Sequence, residues 1–308
     1  MRKKNKLTVV IPFLNEGVEI ERTVKSIRET AKDEVDILLI NDNSEDDFNY
    51  EDVAKKNRAM YVENKIRLGV AGSRDVGAKL VETEYLIFID GHMRFYHNNW
   101  WNEINYNLDK SKKTLFCCCC RAIDSDGNRT SNDVGFGARL HINGNKWNHI
   151  VEPYWDLIDR YKDERIIDIP CVLGASYAIS KDYWLYLKGL SGLLSYGGDE
   201  AYISLKVWRS GGSCKLIKNI DVGHIFRVQA PYHIQWEDSI FNKLLIAETI
   251  FPESLKLEIE DSLKRIYPYY YYLAKQMLNK ERKKIIALKK YYKSIFTVDM
   301  CEFIHMNN

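Results

Sequence analysis

The sequence lacks the long apolar runs that mark membrane-spanning or secreted proteins. No apolar run approaches the ~20 residues that a transmembrane helix needs. The basic start, Met-Arg-Lys-Lys-Asn-Lys, leads straight into a strand-like segment, without the apolar region and small-residue cleavage site of a signal peptide. We therefore expect a protein that is neither exported nor inserted in a membrane.

The sequence also has little net charge and no cysteine framework. Lys and Arg number 45 and Asp and Glu 43, which gives a formal net charge of +2 and argues against a nucleic-acid partner. The seven cysteines include the run 117–120, in which neighbouring side chains of a strand would point to opposite faces. That spacing suits neither disulfides nor a zinc site. We expect a buried, reduced strand and a cytoplasmic location.

The first half contains an alternation of short apolar segments and amphipathic ones. Strands are predicted at 7–11, 36–40 and 85–89, and helices at 17–31 and 70–82. This alternation is typical of an α/β fold, a doubly wound and mostly parallel sheet with helices on both faces. Ligands of such sheets bind beyond the carboxyl ends of the strands. Three polar residues follow those ends: Asn15, Asp42 and Asp90.

The second half is less regular and ends in helical patterns. A strand is predicted at 115–120, then a loop rich in Gly, Asn and Trp to about residue 156, a strand at 171–180 and a helix at 199–209. Residues 236–308 carry helix-like patterning in which basic residues outnumber acidic ones. This extension is either a solvated helical layer packed on the core or a basic, tyrosine-bearing surface that contacts a membrane or an acidic partner.

A candidate metal site follows the third predicted strand. Asp90 leaves that strand and His92 comes two positions later, separated from it by Gly91. Mg²⁺ prefers oxygen ligands, whereas a mixed Asp/His set suits Mn²⁺ better. Such an ion can bridge the oxygens of a diphosphate and stabilise the charge that develops on a departing nucleotide. Taken alone, the same motif also fits a simple turn at the end of a strand.

Two further segments carry candidate functional groups. His224 follows Gly223, which allows close backbone approach, and Arg227 is placed to bind phosphate oxygens. Asp199 and Glu200 stand side by side after two glycines, at the start of a predicted helix. These carboxylates either stabilise the positive end of the helix dipole or face a substrate hydroxyl.

Taken together, these motifs resemble the GT-A glycosyltransferases of family 2. The second half is similar to the catalytic domain of polypeptide N-acetylgalactosaminyltransferases. The segments that carry the resemblance are Val10-Ile-Pro-Phe-Leu-Asn-Glu16, Asn41-Asp-Asn-Ser44, Arg67-x-Gly69-x-x-x-Ser73-Arg74, Asp90-Gly-His92, Gly174-Ala175 and residues 222–232. It implies a GT-A catalytic domain at 1–235, with a nucleotide-binding half at 1–115 and a donor-sugar and acceptor half at 116–235. A helical extension at 236–308 follows.

The resemblance also implies roles for individual residues. The metal, Mn²⁺ with Mg²⁺ as the alternative, is expected at Asp90, His92 and His224. The donor sugar is expected beside Gly174, Ala175 and Asp199. The nucleotide contacts are expected at Pro12, Phe13, Asn15, Glu16, Asp42, Arg67, Gly69, Arg74, Arg227 and Tyr232.

We therefore expect a metal-dependent enzyme that moves a sugar from a UDP-sugar to a hydroxyl of a glycan, a lipid-linked saccharide or a peptide. The polypeptide transferases retain anomeric configuration and carry Trp-Gly-Gly-Glu-Asn where this chain has Tyr196-Gly-Gly-Asp-Glu200. The Asp-Glu pair is closer to inverting enzymes, in which the second carboxylate takes the acceptor's proton. Glu200 is accordingly the expected base, with Asp199 beside it, and a retaining reaction is the alternative.

Two rival functions have less support. A nucleotidyltransferase needs a glycine-rich, basic phosphate loop after the first strand, where this chain has Pro12-Phe-Leu-Asn-Glu-Gly17. A non-catalytic nucleotide-sugar-binding scaffold would have lost the chemistry, whereas the metal ligands and both carboxylates are intact here. A candidate wall for the acceptor contains Trp147, His149 and Trp155, because aromatic rings stack on sugar faces. Core packing explains these rings almost as well.

Overall fold

A computed structural model describes residues 4–143, 149–227 and 231–307 of the chain. Its strands are β1 (Leu7–Phe13), β2 (Asp36–Asn41), β3 (Met60–Glu63), β4 (Tyr85–Ile89), β5 (Met93–Phe95), β6 (Thr114–Ile123), β7 (Arg129–Gly135), β8 (Ala138–Asn143), β9 (Ile150–Trp155), β10 (Ile166–Asp168), β11 (Ser176–Ser180) and β12 (Ser213–Ile225). Its helices are α1 (Val18–Ala31), α2 (Tyr50–Lys56), α3 (Gly69–Leu80), α4 (Trp100–Lys110), α5 (Lys181–Tyr186), α6 (Asp199–Arg209), α7 (Trp236–Ile250), α8 (Glu253–Ile266), α9 (Pro268–Lys280), α10 (Arg282–Ile295) and α11 (Met300–Asn307).

One large sheet forms the centre of the fold. Its main path runs β10-β12-β6-β11-β4-β1-β2-β3, with β5 added to β12 and β7 to β6. The group β4-β1-β2-β3 is parallel throughout, whereas β11 runs antiparallel to both of its neighbours. All seven residues of β1 are buried, as expected for an apolar strand that helices cover on both faces. The predicted doubly wound α/β fold, with its mostly parallel central sheet, is confirmed.

The cysteine run lies in β6, inside this sheet. Cys117 and Cys119 belong to the hydrophobic cluster on one face, and Cys118 and Cys120 to the cluster on the other. All four are free and buried, and burial raises the pKa of each thiol above its ordinary value. The predicted buried strand of reduced cysteines is confirmed.

Two predictions for the second half are wrong in part. The loop predicted to run to about 156 contains β7 and the hairpin of β8 and β9, in which Ala138 pairs with Trp155. The polar residues that alternate along β8 are partly exposed, which gave this segment the composition of a loop. The strand predicted at 171–180 is confined to Ser176–Ser180, because the preceding residues leave the sheet and Cys171 forms a bridge with Ala138.

Helices α7 to α10 pack on the sheet as part of the same core. Buried apolar residues from all four helices join residues of β1, β2 and β4 in one hydrophobic cluster. Helix α7 is buried along most of its length. The extension is therefore a helical layer packed on the core. Within the described chain, no helix has both the length and the apolar composition to cross a membrane.

Candidate active site

A cleft of about 670 Å³ opens at the carboxyl ends of β1, β2 and β4. The parallel register brings these ends to one edge of the sheet, since Val10 of β1 pairs with both Leu38 and Phe88. The predicted site residues that line the cleft are Pro12, Phe13, Glu16, Asp42, Arg67, Gly69, Arg74, Asp90, His92, Gly174, Ala175, Asp199, Glu200, His224, Arg227 and Tyr232.

Among the residues predicted to bind the metal, the nucleotide or the donor sugar, Asn15 is the one that does not line the cleft. Its backbone φ is +55°, and its side-chain oxygen accepts a hydrogen bond from the Glu45 N–H at 2.8 Å. Its own N–H donates to the Ser44 hydroxyl at 2.9 Å. In this structure Asn15 therefore joins the loops that follow β1 and β2, and its contact with a nucleotide stays a prediction.

Three of the lining residues form a candidate metal centre. Asp90 follows β4, His92 precedes β5 and His224 lies near the end of β12. Strands β5 and β12 pair antiparallel, and the Ile225 N–H donates to the His92 carbonyl at 3.2 Å. This pairing brings the two imidazoles together. One potential ligand atom from each of the three residues lies within 4.8 Å of the others.

The surroundings of His224 test whether the three residues fit a cation. Both ring nitrogens are buried, and neither has a hydrogen-bond partner among the described residues. Its Nε2 nevertheless lies 3.3 Å from Oδ2 of Asp90, close enough for the two atoms to share an ion. A buried polar group without a partner is costly, and a bound cation removes that cost. The donor set of two imidazoles and one carboxylate therefore fits a divalent metal.

The charge state of Asp90 agrees with this fit. Burial acts to raise its pKa, but the neighbouring His224 and Arg74 outweigh burial, so that the pKa of Asp90 lies below its ordinary value. A carboxylate must be ionised to bind a metal. Asp90 thus meets this requirement before any ion arrives.

Glu16 lies between the metal centre and Arg227. Its two carboxylate oxygens are 3.2 and 3.1 Å from Nδ1 of His92. The guanidinium of Arg227 donates to the same two oxygens at 3.1 and 2.5 Å. The Glu16 side chain is 6% exposed. Glu16, which the sequence predicts as a nucleotide contact, therefore contacts two other predicted site residues, His92 and Arg227.

Arg74 forms the floor of the cleft and is 2% exposed. Its guanidinium donates to Oδ1 of Asp90 and to the Gly174 carbonyl, both at 3.1 Å, and also to the carboxylate of Asp199. The centre of the Tyr177 ring lies 5.0 Å from the guanidinium carbon. In this structure Arg74 connects a metal-ligand candidate with a donor-sugar candidate. Its direct contact with a nucleotide stays a prediction.

Asp42 organises the loop that leads into α3. Its Oδ1 accepts from the backbone N–H of Leu68, and its Oδ2 from that of Gly69, both at 2.8 Å. The side chains of Asn64 and Ser73 also donate to Oδ1, at 2.8 and 3.0 Å. Gly69 has a φ of +77°, a left-handed conformation that favours glycine. Asn64 belongs to this network, although sequence reasoning missed it.

Asp199 and Glu200 begin α6 in different surroundings. Asp199 is buried and bound to Arg74. Glu200 packs against Gly174, where a Cβ atom would overlap its carboxylate. Burial and then the neighbouring Asp199 raise the pKa of Glu200 well above its ordinary value. The pair therefore consists of one carboxylate tied to a cation and one carboxyl group with a raised affinity for protons.

Asn242 of α7 fixes the loop that precedes these carboxylates, a role that sequence reasoning missed. Its side chain is fully buried. It accepts from the Leu194 N–H and donates to the carbonyls of Leu194 and Gly197, each at 2.8 Å. Gly197 and Gly198, with φ of +94° and +85°, then turn the chain into α6. The signal in the sequence is a polar residue, Asn242, close to the apolar run of a helix that is buried along most of its length.

Aromatic side chains line another part of the cleft. Trp155 and Phe226 meet edge to face with their ring centroids 4.9 Å apart, and the exposed Trp236 begins α7. Of the predicted acceptor wall, Trp155 lies in the cleft. Trp147 lies outside the described residues, and within them His149 is not one of the lining side chains.

Comparison with curated proteins gives relatives among the polypeptide N-acetylgalactosaminyltransferases. Polypeptide N-acetylgalactosaminyltransferase 12 of Mus musculus is 27% identical over 241 residues, which cover 74% of this chain and 41% of that protein. Polypeptide N-acetylgalactosaminyltransferase 11 of Xenopus tropicalis is 29% identical over 241 residues, covering 73% of this chain and 39% of that protein. The chain thus spans about two-fifths of the length of these curated relatives.

Solved structures share the fold. The structure of GalNAc-T7, determined with UDP, GalNAc and Mn²⁺, matches with a TM-score of 0.77 at 21% identity. The match covers 97% of this chain and 56% of the GalNAc-T7 chain. TarS 1-349 of S. aureus, determined in complex with UDP-GlcNAc, matches with a TM-score of 0.54 at 12% identity over 86% of this chain and 73% of its own. Residues 8–172, more than half of the chain, match the family described as Glycosyl transferase family 2. The predicted resemblance is confirmed, and the chain belongs to glycosyl transferase family 2.

Proposed function

We propose that this protein is a Mn²⁺-dependent glycosyltransferase that moves a sugar from a UDP-sugar to an acceptor hydroxyl. The observation that carries the proposal is the meeting of Asp90, His92 and His224 in one cleft of a family 2 chain. The solved relatives, which hold UDP with Mn²⁺ or UDP-GlcNAc, support the choice of donor and metal. Mg²⁺ is the second choice, because two of the three ligands are imidazoles.

The cleft supplies the groups that a departing nucleotide needs. A bound Mn²⁺ stabilises the charge that develops on the diphosphate. The guanidinium of Arg227 has five N–H donors, of which two bind Glu16, so the remaining donors are available to phosphate oxygens. We keep Gly174, Ala175 and Asp199 as the donor-sugar contacts. The nucleotide contacts proposed are Pro12, Phe13, Asn15, Glu16, Asp42, Arg67, Gly69, Arg74, Arg227 and Tyr232.

We assign the general base to Glu200 and expect inversion. In an inverting displacement the base takes the acceptor's hydroxyl proton while the new bond to the sugar carbon forms and the bond to the diphosphate breaks. Asp199 suits this role less well, because its carboxylate is bound to Arg74. The raised pKa of Glu200, caused by burial and then by the neighbouring Asp199, makes this carboxylate a stronger base than an ordinary glutamate. Asp199 is then left to accept a hydrogen bond from a donor-sugar hydroxyl.

A retaining enzyme similar to the polypeptide N-acetylgalactosaminyltransferases is the second candidate. The similarity of 27% and 29% to two such proteins favours it. The acceptor is proposed as a glycan, a lipid-linked saccharide or a peptide. A non-catalytic scaffold is disfavoured, because the metal ligands, Arg227 and both carboxylates lie together in the cleft.

We further propose a catalytic domain at 1–235, with halves at 1–115 and 116–235, and an extension at 236–308. We place the protein in the cytoplasm, in peripheral contact with the membrane. The exposed basic residues of α10, among them Lys283 and Lys290, support an attraction to anionic lipids. Co-sedimentation with vesicles that contain an anionic lipid tests this contact, and the absence of binding at low salt contradicts it.

Release of UDP from a panel of UDP-sugars in the presence of Mn²⁺ tests the central proposal. We expect slow hydrolysis of one donor without acceptor, and a rise in thermal stability when UDP and Mn²⁺ are added. Asp90→Ala should lose both effects. If UDP and Mn²⁺ leave the wild-type protein unchanged, the transferase function is wrong. NMR of the product anomer then separates inversion from retention.

A further inference from the structure

The carboxylate of Glu16 makes contacts that a plain nucleotide-binding residue does not need. It faces Nδ1 of His92 on one side, at 3.1 and 3.2 Å, and the guanidinium of Arg227 on the other. It is nearly buried, so little of its carboxylate is open to water.

For His92 the contact selects a tautomer. An ionised carboxylate only accepts hydrogen bonds, so Nδ1 of His92 must carry the hydrogen that Glu16 receives. The lone pair of the neutral ring is then on Nε2. A neutral imidazole binds a metal through the nitrogen without hydrogen, and a carboxylate on the other nitrogen fixes the ring and raises its basicity. Glu16 thus prepares Nε2 of His92 as a metal ligand.

The backbone next to His92 leaves room for this arrangement. A Cβ on Gly91 would lie 3.0 Å from Cγ of Glu16 and 2.8 Å from Cδ1 of Ile20. The middle residue of Asp90-Gly-His92 is therefore small because Ile20 and Glu16 both approach there. The carbonyl of Gly91 also accepts from the Thr23 hydroxyl at 2.8 Å, which holds the same turn against α1.

For Arg227 the contact fixes a cation beside the metal centre. Two N–H groups form a paired interaction with both oxygens of Glu16, the geometry in which a guanidinium binds a carboxylate most specifically. The arginine side chain is 24% exposed and lines the cleft. A single carboxylate therefore sets the position of a metal ligand and of the cation next to it.

We propose that Glu16 is a positioning residue that orients His92 for Mn²⁺ and anchors Arg227, a role in addition to the nucleotide contact proposed for it above. The inference rests on the metal site of the proposed function. It assigns Glu16 a role that is exercised before any nucleotide binds. Its effect must therefore be visible with Mn²⁺ alone.

Titration of the protein with Mn²⁺ in the absence of nucleotide, followed by calorimetry, tests the proposal. Glu16→Gln keeps the size of the side chain but loses the charge that holds both partners. We expect its affinity for Mn²⁺ to fall about 10- to 100-fold, as is usual when the partner of a metal-bound histidine is removed. Glu19→Gln is the matched control, because Glu19 is also buried and pairs with Arg94 at 2.6 Å rather than with a predicted metal ligand. It should bind Mn²⁺ as the wild-type protein does.

The tautomer of His92 is a second readout that needs no variant at Glu16. Long-range ¹H–¹⁵N spectra of histidine-labelled wild-type protein without metal should show hydrogen on Nδ1 of His92, with His92→Gln used to assign the signal. Hydrogen on Nε2 overturns the proposal, and so does a Glu16→Gln protein with wild-type Mn²⁺ affinity. If the wild-type protein binds no Mn²⁺, the metal site itself is wrong, and the inference falls with it.

Discussion

The guanidinium of Arg74 binds the carboxylate of Asp199 beneath the cleft, although the two residues are 125 positions apart in the chain. The same guanidinium binds Asp90. One buried cation therefore compensates two carboxylates that the cleft presents to its ligands. Removing this cation would leave the Asp199 carboxylate buried without the guanidinium that binds it, which is costly.

Replacing Arg74 should consequently damage stability and activity together. We expect Arg74→Met to lower the free energy of unfolding by about 3–5 kcal/mol, the usual cost of removing one partner of a buried ion pair. Arg74→Lys keeps the charge but not the planar set of donors, so it should recover part of the stability and little of kcat/KM. Urea denaturation and donor hydrolysis measure the two effects. A loss below 1 kcal/mol in Arg74→Met would contradict the role.

The assignment of Glu200 as base predicts a particular pattern of kinetics. Glu200→Gln should lower kcat about 10²- to 10⁴-fold, the usual contribution of a general base. Its affinity for UDP and Mn²⁺ should be close to that of the wild-type protein. Asp199→Asn should instead weaken the binding of the UDP-sugar more than that of UDP. Equal losses of UDP affinity in both variants would argue against separate roles.

The same assignment predicts a pH dependence. A base acts when deprotonated, and burial followed by Asp199 raises the pKa of Glu200 above its usual value. The acid limb of kcat/KM for the wild-type enzyme should therefore lie at a higher pH than the pKa of an ordinary glutamate. Activity falls as the pH drops through this limb, and the residual activity of Glu200→Gln should not show it. A wild-type profile that is flat down to the ordinary glutamate pKa would exclude Glu200 as the base.

Much of the fold could be predicted because its signals are local. Strands β1, β2 and β4 are short apolar runs with both faces buried, and helices α1 and α6 follow the patterns predicted at 17–31 and 199–209. Strand β3 was missed because its four residues are only partly buried or exposed. The hairpin of β8 and β9 was missed because partly exposed polar residues alternate along β8 and give this segment the composition of a loop.

The site was predictable to the extent that its residues stand in recognisable segments. Asp90 and His92 are neighbours in sequence, but the approach of His224 depends on the pairing of β12 with β5. The contact of Glu16 with Arg227 spans 211 positions, and a resemblance between motifs says nothing of contacts between them. Asn242 was missed for the same reason.

Asn242 is not a predicted catalytic or binding residue, but its replacement should still affect stability and activity. Asn242→Ala removes a buried amide that bonds to Leu194 and Gly197, so it should cost about 1–3 kcal/mol of stability. The loop that positions Asp199 should loosen, and kcat/KM should fall at temperatures where the protein is still folded. Asn105→Ala, a change at a buried asparagine of α4, is the matched control and should leave kcat/KM unchanged. If both variants keep full kcat/KM, the loop does not depend on Asn242.

Lys206, a buried lysine near the C-terminal end of α6, gives a prediction about stability alone. Lys206 is fully buried, and its ammonium group donates to the carbonyls of Leu187 and Gly189. Burial lowers the pKa of Lys206 to about 7, although the nearby Asp75 acts to raise it. Unfolded, the same lysine has its ordinary pKa of 10.5. Between these two values the unfolded chain therefore binds a proton that the folded protein does not.

The free energy of unfolding should rise with pH across this window, because stability increases with pH wherever the unfolded state binds more protons. One such proton contributes at most about 1.4 kcal/mol per pH unit. Lys206→Met removes the group and should flatten the rise, whereas Lys290→Met, at an exposed position of α10, should keep it. Urea denaturation at several values between about pH 7.5 and pH 9.5 measures the slope. Equal slopes in the wild-type protein and Lys206→Met would mean that Lys206 is protonated in the fold, and that Asp75 compensates its charge after all.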